Sequence, residues 1–307
     1  KPALLSDIKK LLRNTLINLI KKDFKNKNYF LTADLGFSIL EDLQKISNKR
    51  FVNVGVAENS MFTLAIGISE NLKKHESVYC YSISPFVVLR SLELIRNYLN
   101  FENRKIRLIG VGSGYSYSYL GKTHFLMEDL NIFFGFKNLI ILNPGNEREL
   151  KFVYDKYKNF NGPVYFRINK SDAIEYKKYN FLEKKGLFIK KGFGSNIIVS
   201  GYIFEYLKKI FSYDEIKKLN IISIPIFNQI YTDAALKYLN KKKPTILLVD
   251  NNQTLLFEKM KYEICNITNN KVWNIHLEPT KIKLVGNEFD LLSQSGLNIK
   301  KIRNYLL

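Results

Sequence analysis

Glu58 is the residue of this sequence whose surroundings are best suited to proton chemistry. It opens the segment ENSMFTLAIG, in which Met61, Phe62 and Ala65 recur with helical spacing and predict an apolar face. A carboxylic acid in the first turn of such a helix would lie in a dry pocket, where burial favours the acid that keeps its proton. It could then exchange that proton with a bound ligand. The simpler interpretation is a first-turn carboxylate that stabilises the helix dipole.

The remaining local motifs are weaker. His124 stands in the segment GKTH, where a lone histidine is often only a helix cap, and His75 and His276 are too distant in sequence to form a local metal motif with it. Three glycines, at 110, 112 and 114, follow a predicted strand but continue into YSYSYLGKTH rather than opening a helix. They are therefore a poor match to a dinucleotide-binding fingerprint. P-loop, zinc-protease and serine-hydrolase motifs do not occur in the sequence.

The composition is that of an ordinary globular protein. Hydrophobic residues make up 46% and charged residues 25% of the 307 residues, which excludes a disordered or fibrous chain and favours two domains. Two cysteines cannot form a disulfide framework, so we expect a reduced, cytoplasmic setting. No run of 18 apolar residues occurs, so we expect no membrane span.

The net charge of +20 does not by itself indicate a nucleic-acid partner. The cationic residues are mostly lysines, and they are dispersed, with KKK at 241–243 as the longest run. Nucleic-acid-binding proteins usually concentrate their charge on one face and read bases with arginine. We therefore expect no nucleic-acid role. An anionic substrate or an acidic partner chain explains the sign of the charge better.

Short apolar runs alternate with helical periodicity and predict a parallel α/β sheet in the first half of the chain. The predicted strands are Tyr29–Thr32, Phe51–Val54, Val78–Ser82, Ile106–Val111, Leu139–Leu142 and Val164–Ile168. Helices are predicted around 6–22, 57–74, 86–102, 125–135 and 146–159. This pattern defines a first domain at residues 1–174.

A second, smaller α/β domain is predicted at residues 193–307. The lysine-rich stretch 175–192 has no clean periodicity and is interpreted as a linker. Beyond it, strands are predicted at Asn196–Ser200, Asn220–Ile224, Thr245–Asp250 and Val272–His276, with helices between them. The fold class is therefore α/β, with two doubly wound domains.

Five segments, in their order and spacing, resemble the pyrimidine-binding domain of transketolases and deoxyxylulose-phosphate synthases. They are TADLGFS (32–38), RFVNVGVAENSMFTLAIGIS (50–69), YSISPFVVLRSLELIRN (81–97), GSGYSYSYLGKTHFLMEDL (112–130) and GPVYFRINK (162–170). The resemblance covers nearly the whole chain and is most specific around Glu58. It implies a thiamine-diphosphate-binding domain of the pyrimidine type, followed by a transketolase C-terminal-like domain.

The resemblance also implies a cofactor site. Glu58 would hydrogen-bond a ring nitrogen of the aminopyrimidine, whose imino form then removes the thiazolium proton. Phe86 would lie against the pyrimidine ring, with Ile83 and Leu89 at positions where the family often has aromatic residues. Leu35, in the loop after the first strand, would also contact the cofactor. Plain core packing is the alternative for Phe86.

Substrate-binding residues are implied in the same way. His124 would face the two-carbon donor fragment and its hydroxyl, and Ser38 would touch a substrate phosphate. Lys170 and Lys9 stand where the family has phosphate-binding cations; the alternative for each is a solvated lysine.

The acceptor region departs from the family. Gly112 replaces a phosphate-binding histidine, Leu120 replaces an aspartate that reads the acceptor, and tyrosines fill the loop. An acceptor other than the usual pentose phosphate, in specialised or surface-polysaccharide carbohydrate metabolism, would fit these changes.

No Gly-Asp-Gly segment, with which the family holds the diphosphate and its metal, occurs in the sequence. We therefore expect this chain to be the C-terminal subunit of a split transketolase. Thiamine diphosphate and Mg²⁺ (or Ca²⁺) would be held mainly by an N-terminal partner subunit in an α₂β₂ assembly, and this chain would supply no metal ligand. The alternatives are the β subunit of a 2-oxo-acid dehydrogenase and a non-catalytic interaction protein with the same fold. A deoxyxylulose-phosphate synthase is a variant of the first interpretation.

Overall fold

The predicted alternation of strands and helices forms two six-stranded sheets in the computed structural model, which describes residues 11–24, 27–36, 39–47, 49–170, 181–278 and 285–306. The first sheet has the strand order β2-β1-β3-β4-β6-β5 and all its pairs are parallel. Its strands are β1 Tyr29–Thr32, β2 Phe51–Asn53, β3 Val78–Ile83, β4 Ile106–Val111, β5 Ile140–Leu142 and β6 Val164–Ile168. The predicted first-half strands are thus confirmed to within one residue at each end.

Helices cover both faces of this sheet. They are α1 Leu12–Phe24, α2 Glu41–Ile46, α3 Glu58–Glu70, α4 Ser84–Leu89, α5 Leu92–Leu94, α6 Asp129–Phe134 and α7 Glu147–Tyr157. A π-helix, Ile95–Phe101, follows α5, and 3₁₀ turns lie at Ser118–Leu120 and Lys122–His124. Every residue of β3, β4 and β6 is buried, as expected for parallel strands covered on both faces.

The two faces of the first sheet have separate cores. On one face, Met61 and Phe62 of α3 pack in a cluster with Cys80 of β3 and Leu108 of β4. On the other face, α1 and α7 pack against the alternate residues of the same strands, such as Ile109. Since successive strand residues point to opposite faces, one continuous apolar run supplies both cores. The doubly wound α/β class predicted from the sequence is confirmed.

The second sheet has the strand order β12-β11-β9-β10-β8-β7. Its strands are β7 Leu182–Lys184, β8 Leu187–Lys190, β9 Asn196–Ser200, β10 Asn220–Ser223, β11 Thr245–Val249 and β12 Val272–Ile275. Its helices are α8 Ile203–Ile210, α9 Tyr213–Lys218, α10 Gln229–Leu236, α11 Leu255–Thr268, α12 Glu288–Gln294 and α13 Ile299–Leu306. Strands β7 and β8 are antiparallel to their neighbours, and the other pairs are parallel.

The predicted linker 175–192 is wrong over its second half. Residues 182–190 form the hairpin β7–β8 on the edge of the second sheet, turning at Lys185 and Gly186, both of which have positive φ. All of β8 is buried and all of β7 is exposed. Because both strands contain lysine, the sequence does not show the alternation of apolar and polar residues that predicts a strand. The predicted domain boundary at residue 174 lies outside the described residues and stays a prediction.

A buried ionic cluster joins the two sheets. Arg167 of β6 donates from Nε to Asp129 Oδ2 at 2.8 Å and from Nη1 to Asp250 Oδ1 at 2.7 Å. Asp129 begins α6, and Asp250 directly follows β11 of the second sheet. Tyr165 and Asn251 donate the remaining hydrogen bonds to the Asp129 carboxylate. The side chains of Arg167 and Asp129 are fully buried, so their charges are shielded from water.

Replacing Arg167 by methionine should strongly destabilise the protein. Asp129 and Asp250 would be left buried without their cation, a change that typically costs about 3–5 kcal/mol. Urea unfolding followed by circular dichroism measures the free energy of unfolding. The matched control is Arg104→Met, which removes the surface pairs of Arg104 with Glu70 and Glu102 and should cost less than about 1 kcal/mol. Equal losses in both variants would contradict the assigned role of Arg167.

Candidate active site

The predicted site residues follow neighbouring strands of the first sheet. Glu58 begins the helix after β2, Phe86 lies in the helix after β3, and His124 lies in the segment after β4. Lys170 stands two residues after the end of β6. Because these strands are parallel, all four residues emerge at the carboxyl edge of the sheet, where ligands of open α/β sheets bind.

Glu58 is a buried acid, only 2% exposed, at the first position of α3. Its Oε1 accepts a hydrogen bond from Ser82 Oγ of β3 at 3.1 Å. Its Oε2 accepts one from Arg90 Nη1 at 2.7 Å. The Oε1 side of the carboxylate therefore faces buried protein. The Oε2 side is covered by Arg90, whose side chain is 45% exposed and can be displaced.

Arg90 also lies on Phe86, since the guanidinium carbon is 3.9 Å from the centre of the phenylalanine ring. The imidazole of His124 meets the same ring edge-on, with 5.0 Å between the ring centres. Thr123 Oγ1 lies 2.9 Å from His124 Nδ1 and helps to fix the imidazole. Phe86 thus connects His124, which packs on its ring, with Glu58, whose partner Arg90 lies on the same ring.

Charge and burial keep the imidazole neutral. Burial lowers the pKa of His124 below its ordinary value of 6.5, and the positive charge of Arg90 lowers it further. A neutral imidazole can accept a hydrogen bond at one ring nitrogen and donate one from the other. His124 can therefore bind a hydroxyl at neutral pH in either sense.

A tyrosine pair extends the cluster towards Lys170. The rings of Tyr117 and His124 have their centres 6.2 Å apart, and Lys170 Nζ lies 4.6 Å from the centre of the Tyr117 ring. Lys170 Nζ donates a hydrogen bond to Tyr119 Oη at 2.9 Å. The structure therefore places the predicted cation within one continuous row of side chains that starts at Glu58.

The other predicted residues vary in position. Ile83 ends β3 and is buried, Leu35 is half-buried, and Leu89 at the end of α4 is 43% exposed. The structure does not test their predicted contact with a cofactor. Lys9 and Ser38 lie outside the described residues. The predicted roles of these five residues stay predictions.

Sequence reasoning missed two cations. Arg90 stands four residues after Phe86, and that helical spacing was the available signal for its contact with the ring. Arg13 of α1 lies close enough to Tyr117 for its charge to lower the pKa of that hydroxyl, against the larger raising effect of burial. Nothing in the local sequence around Arg13 connects it to a tyrosine about a hundred positions away.

The described residues contain no group of three or more His, Cys, Asp or Glu side chains that could hold a metal ion. The prediction that a partner supplies the metal ligands stays a prediction. Among the helices described, none is both long enough and apolar enough to span a membrane.

A family model for the transketolase pyrimidine-binding domain matches residues 7–174, so the chain belongs to this family. Over 207 residues it is 27% identical to a protein of Actinobacillus succinogenes named as a subunit of an apulose-4-phosphate transketolase, an alignment that spans 66% of each chain. Over 217 residues it is 30% identical to a protein of Methanocaldococcus jannaschii named as a transketolase C-terminal section, covering 69% of this chain and 66% of that protein. The alignments thus span just under two thirds of these relatives.

A solved structure extends the likeness to both sheets. A split-gene transketolase, described as an inactive β4 tetramer, superimposes with a TM-score of 0.72 at 17% identity. The superposition covers 96% of this chain and 98% of that one. At this identity the likeness shows the fold alone.

The pKa of the His124 imidazole should lie below its ordinary value of 6.5. Arg90→Gln should raise this lowered pKa towards 6.5, because it removes the neighbouring positive charge. Between the lowered pKa and 6.5 the unfolded chain binds more protons than the folded one, so stability should rise with pH across this window. Proton NMR of the imidazole ring in the purified chain measures the titration directly. Arg96→Gln, in the adjacent π-helix, is the matched control and should leave it unchanged. An unshifted titration in Arg90→Gln would contradict the contact.

Proposed function

We propose that this chain is the C-terminal subunit of a split, thiamine-diphosphate-dependent transketolase that transfers a two-carbon ketol unit between sugars. The observation that carries the proposal is the buried carboxyl of Glu58, whose partner Arg90 rests on the ring of Phe86 against which the imidazole of His124 packs. The family of residues 7–174 and the names of the relatives support it. No comparable observation favours a 2-oxo-acid dehydrogenase or a non-catalytic role.

The side chains present fit the pyrimidine end of the cofactor. Glu58 offers one carboxyl oxygen whose partner, within the described residues, is Arg90, a side chain that is 45% exposed and can move away. Phe86 offers a ring face on which Arg90 now rests. Both contacts are therefore exchangeable for those of a flat heterocycle with a ring nitrogen.

When bound, thiamine diphosphate supplies the carbon nucleophile that takes up the ketol fragment. Glu58 would hold a proton at the oxygen now facing Arg90 and share it with the pyrimidine nitrogen. Phe86 would keep water away from that hydrogen bond. His124, in contact with Phe86, would orient the donor hydroxyl through its neutral imidazole. Lys170 would bind a substrate phosphate, with Lys9 and Ser38 as further predicted phosphate contacts.

The partner would be an N-terminal subunit that holds the diphosphate and Mg²⁺ (or Ca²⁺). We propose an α₂β₂ assembly built around a dimer of this chain, with residues 57–68 in the contact. In support, α3 exposes a face of small and apolar residues, among them Ser60, Thr63, Leu64 and Gly67, which line a shallow depression. Leu64 is 40% exposed on this face.

Glu58→Gln should lower ketol transfer by the reconstituted enzyme roughly 10²–10⁴-fold, the usual range for losing a general acid or base. The amide has the shape of the acid but cannot pass on a proton. Folding and assembly should survive the change. The control is Glu70→Gln, which alters an exposed carboxylate at the other end of α3 and should leave transfer unchanged.

The exchange rate of the thiazolium proton, measured by NMR in the same complex, separates this role from a general loss of activity. Exchange should slow with Glu58→Gln. Exchange as fast as in the wild type would show that another group activates the cofactor, and the assignment of Glu58 would be wrong.

Leu64→Glu should break the contact between two copies of this chain, because a carboxylate would have to be buried against its symmetry mate. Light scattering of the co-expressed subunits should then give half the mass of the wild-type assembly. Leu182→Glu, on the exposed strand β7, is the control and should leave the mass unchanged. A wild-type assembly with the mass of one αβ pair and full activity would contradict the α₂β₂ proposal.

A further inference from the structure

The ring of Tyr117 fills the space in front of Gly112. Gly112 has φ of +83°, a conformation that side chains rarely adopt, and a Cβ added to it would overlap Tyr117 Cε2. The ring could therefore not remain there with any other residue at position 112. Tyr117 is only 8% exposed, so the ring is fixed by its surroundings.

Tyr117 and Tyr119 together hold the ammonium group of Lys170. The Lys170 Nζ is 4.6 Å from the centre of one ring and 5.2 Å from the centre of the other, distances at which a cation is attracted to an aromatic face. It also donates to Tyr119 Oη at 2.9 Å. In the described part of the chain no carboxylate pairs with this ammonium, so its charge is not neutralised there.

An ammonium group has three N–H donors, and the hydrogen bond to Tyr119 uses one. Two remain for a ligand. Lysine has a long, flexible side chain, and fixing it before a ligand arrives removes part of the entropic cost of binding. Arg13 brings a second positive charge close to Tyr117, and among the described residues its buried Nε has no hydrogen-bond partner. This arrangement suits an oxyanion such as a phosphate group.

The same tyrosine sets the reach of the site. Tyr117 lies between the imidazole of His124, at 6.2 Å between ring centres, and the ammonium of Lys170. An anion bound by Lys170 is therefore separated from the Phe86–His124 contact by about the width of one aromatic ring. A substrate must be long enough to cover that distance, as a sugar with its anion at the far end is.

We propose that Tyr117 and Tyr119 are positioning residues that hold Lys170 where it contacts the anionic end of the acceptor. The inference rests on the proposed ketol transfer and names two residues that position a cation of that site. Tyr119 fixes the ammonium through its hydroxyl, and Tyr117 fixes the distance between the ammonium and His124.

Tyr119→Phe tests this with one atom, since it keeps the ring and removes the acceptor of the Lys170 hydrogen bond. In the complex reconstituted with the partner subunit, the KM for ribose 5-phosphate should rise roughly 10–150-fold, the range for a hydrogen bond to a charged group. The kcat for ribose 5-phosphate and the KM for ribose should stay within about twofold of wild type. Tyr262→Phe, an exposed tyrosine of α11, is the matched control and should change none of these values.

Lysine variants and a free anion provide a second measurement. Lys170→Met should abolish the preference for ribose 5-phosphate over ribose, and Lys170→Arg should restore part of it, because the charge returns without the same hydrogen bond. Inorganic phosphate should inhibit the wild type competitively against ribose 5-phosphate and should inhibit Tyr119→Phe more weakly. Equal KM changes for ribose and ribose 5-phosphate in Tyr119→Phe, or a preserved preference in Lys170→Met, would overturn the proposal.

The donor half-reaction separates this outcome from failure of the proposed function. Hydroxypyruvate is a donor without phosphate, and its conversion without an acceptor can be followed by carbon dioxide release. Release that is normal in Tyr119→Phe supports a role confined to the acceptor. If the wild-type complex releases none, ketol transfer itself is refuted and the specificity proposal falls with it.

Discussion

The arrangement of the site depends on one buried guanidinium, that of Arg167. It is the cation for Asp129, at the start of α6, and for Asp250, which follows a strand of the second sheet, and leaving either carboxylate buried without it is costly. The same cluster fixes the segment that carries His124. Gly114 lies so close to Asp250 that an added Cβ would be 2.9 Å from its carboxylate, and Asn252 donates its backbone N–H to Met127. Lys170 emerges from the strand that bears Arg167. The cluster therefore holds the imidazole and the lysine in a fixed relation to each other.

The second ion pair of the site, Glu58 with Arg90, differs from the Arg167 cluster in its exposure to solvent. Both partners of the Arg167–Asp129 pair are inaccessible to water, whereas Arg90 is half open. An exposed guanidinium loses little by returning to water, because its attraction to a carboxylate is screened there. A ligand that replaces Arg90 on the ring of Phe86 also replaces it beside Glu58. One movement of Arg90 therefore opens both contacts.

Local patterns in the sequence predict most of the first sheet, since most positions of its strands are apolar and its helices show clear periodicity. The predicted roles of Glu58, Phe86, His124 and Lys170 come instead from the resemblance to transketolases, and the structure shows that each lies in a segment that follows a strand. The hairpin β7–β8 is missed because its lysines obscure the pattern, and only its buried second strand, paired with β10, explains why it forms. The roles of Arg13 and Arg167 could not be predicted, because their contacts join residues that are far apart in the chain.

Gly112 and Tyr117 illustrate how a contact changes the meaning of a sequence difference. In the sequence they are two separate departures from the transketolase pattern, a lost side chain and an added ring. In the structure they are one exchange, since the ring occupies the space that the missing side chain vacates. Neither residue can change alone without a cost: a side chain at position 112 meets both the ring and an unfavourable φ, and a smaller residue at 117 leaves a cavity. The ring of Tyr117 therefore gives the loop an aromatic surface in front of Gly112, and the ammonium of Lys170 rests on that surface.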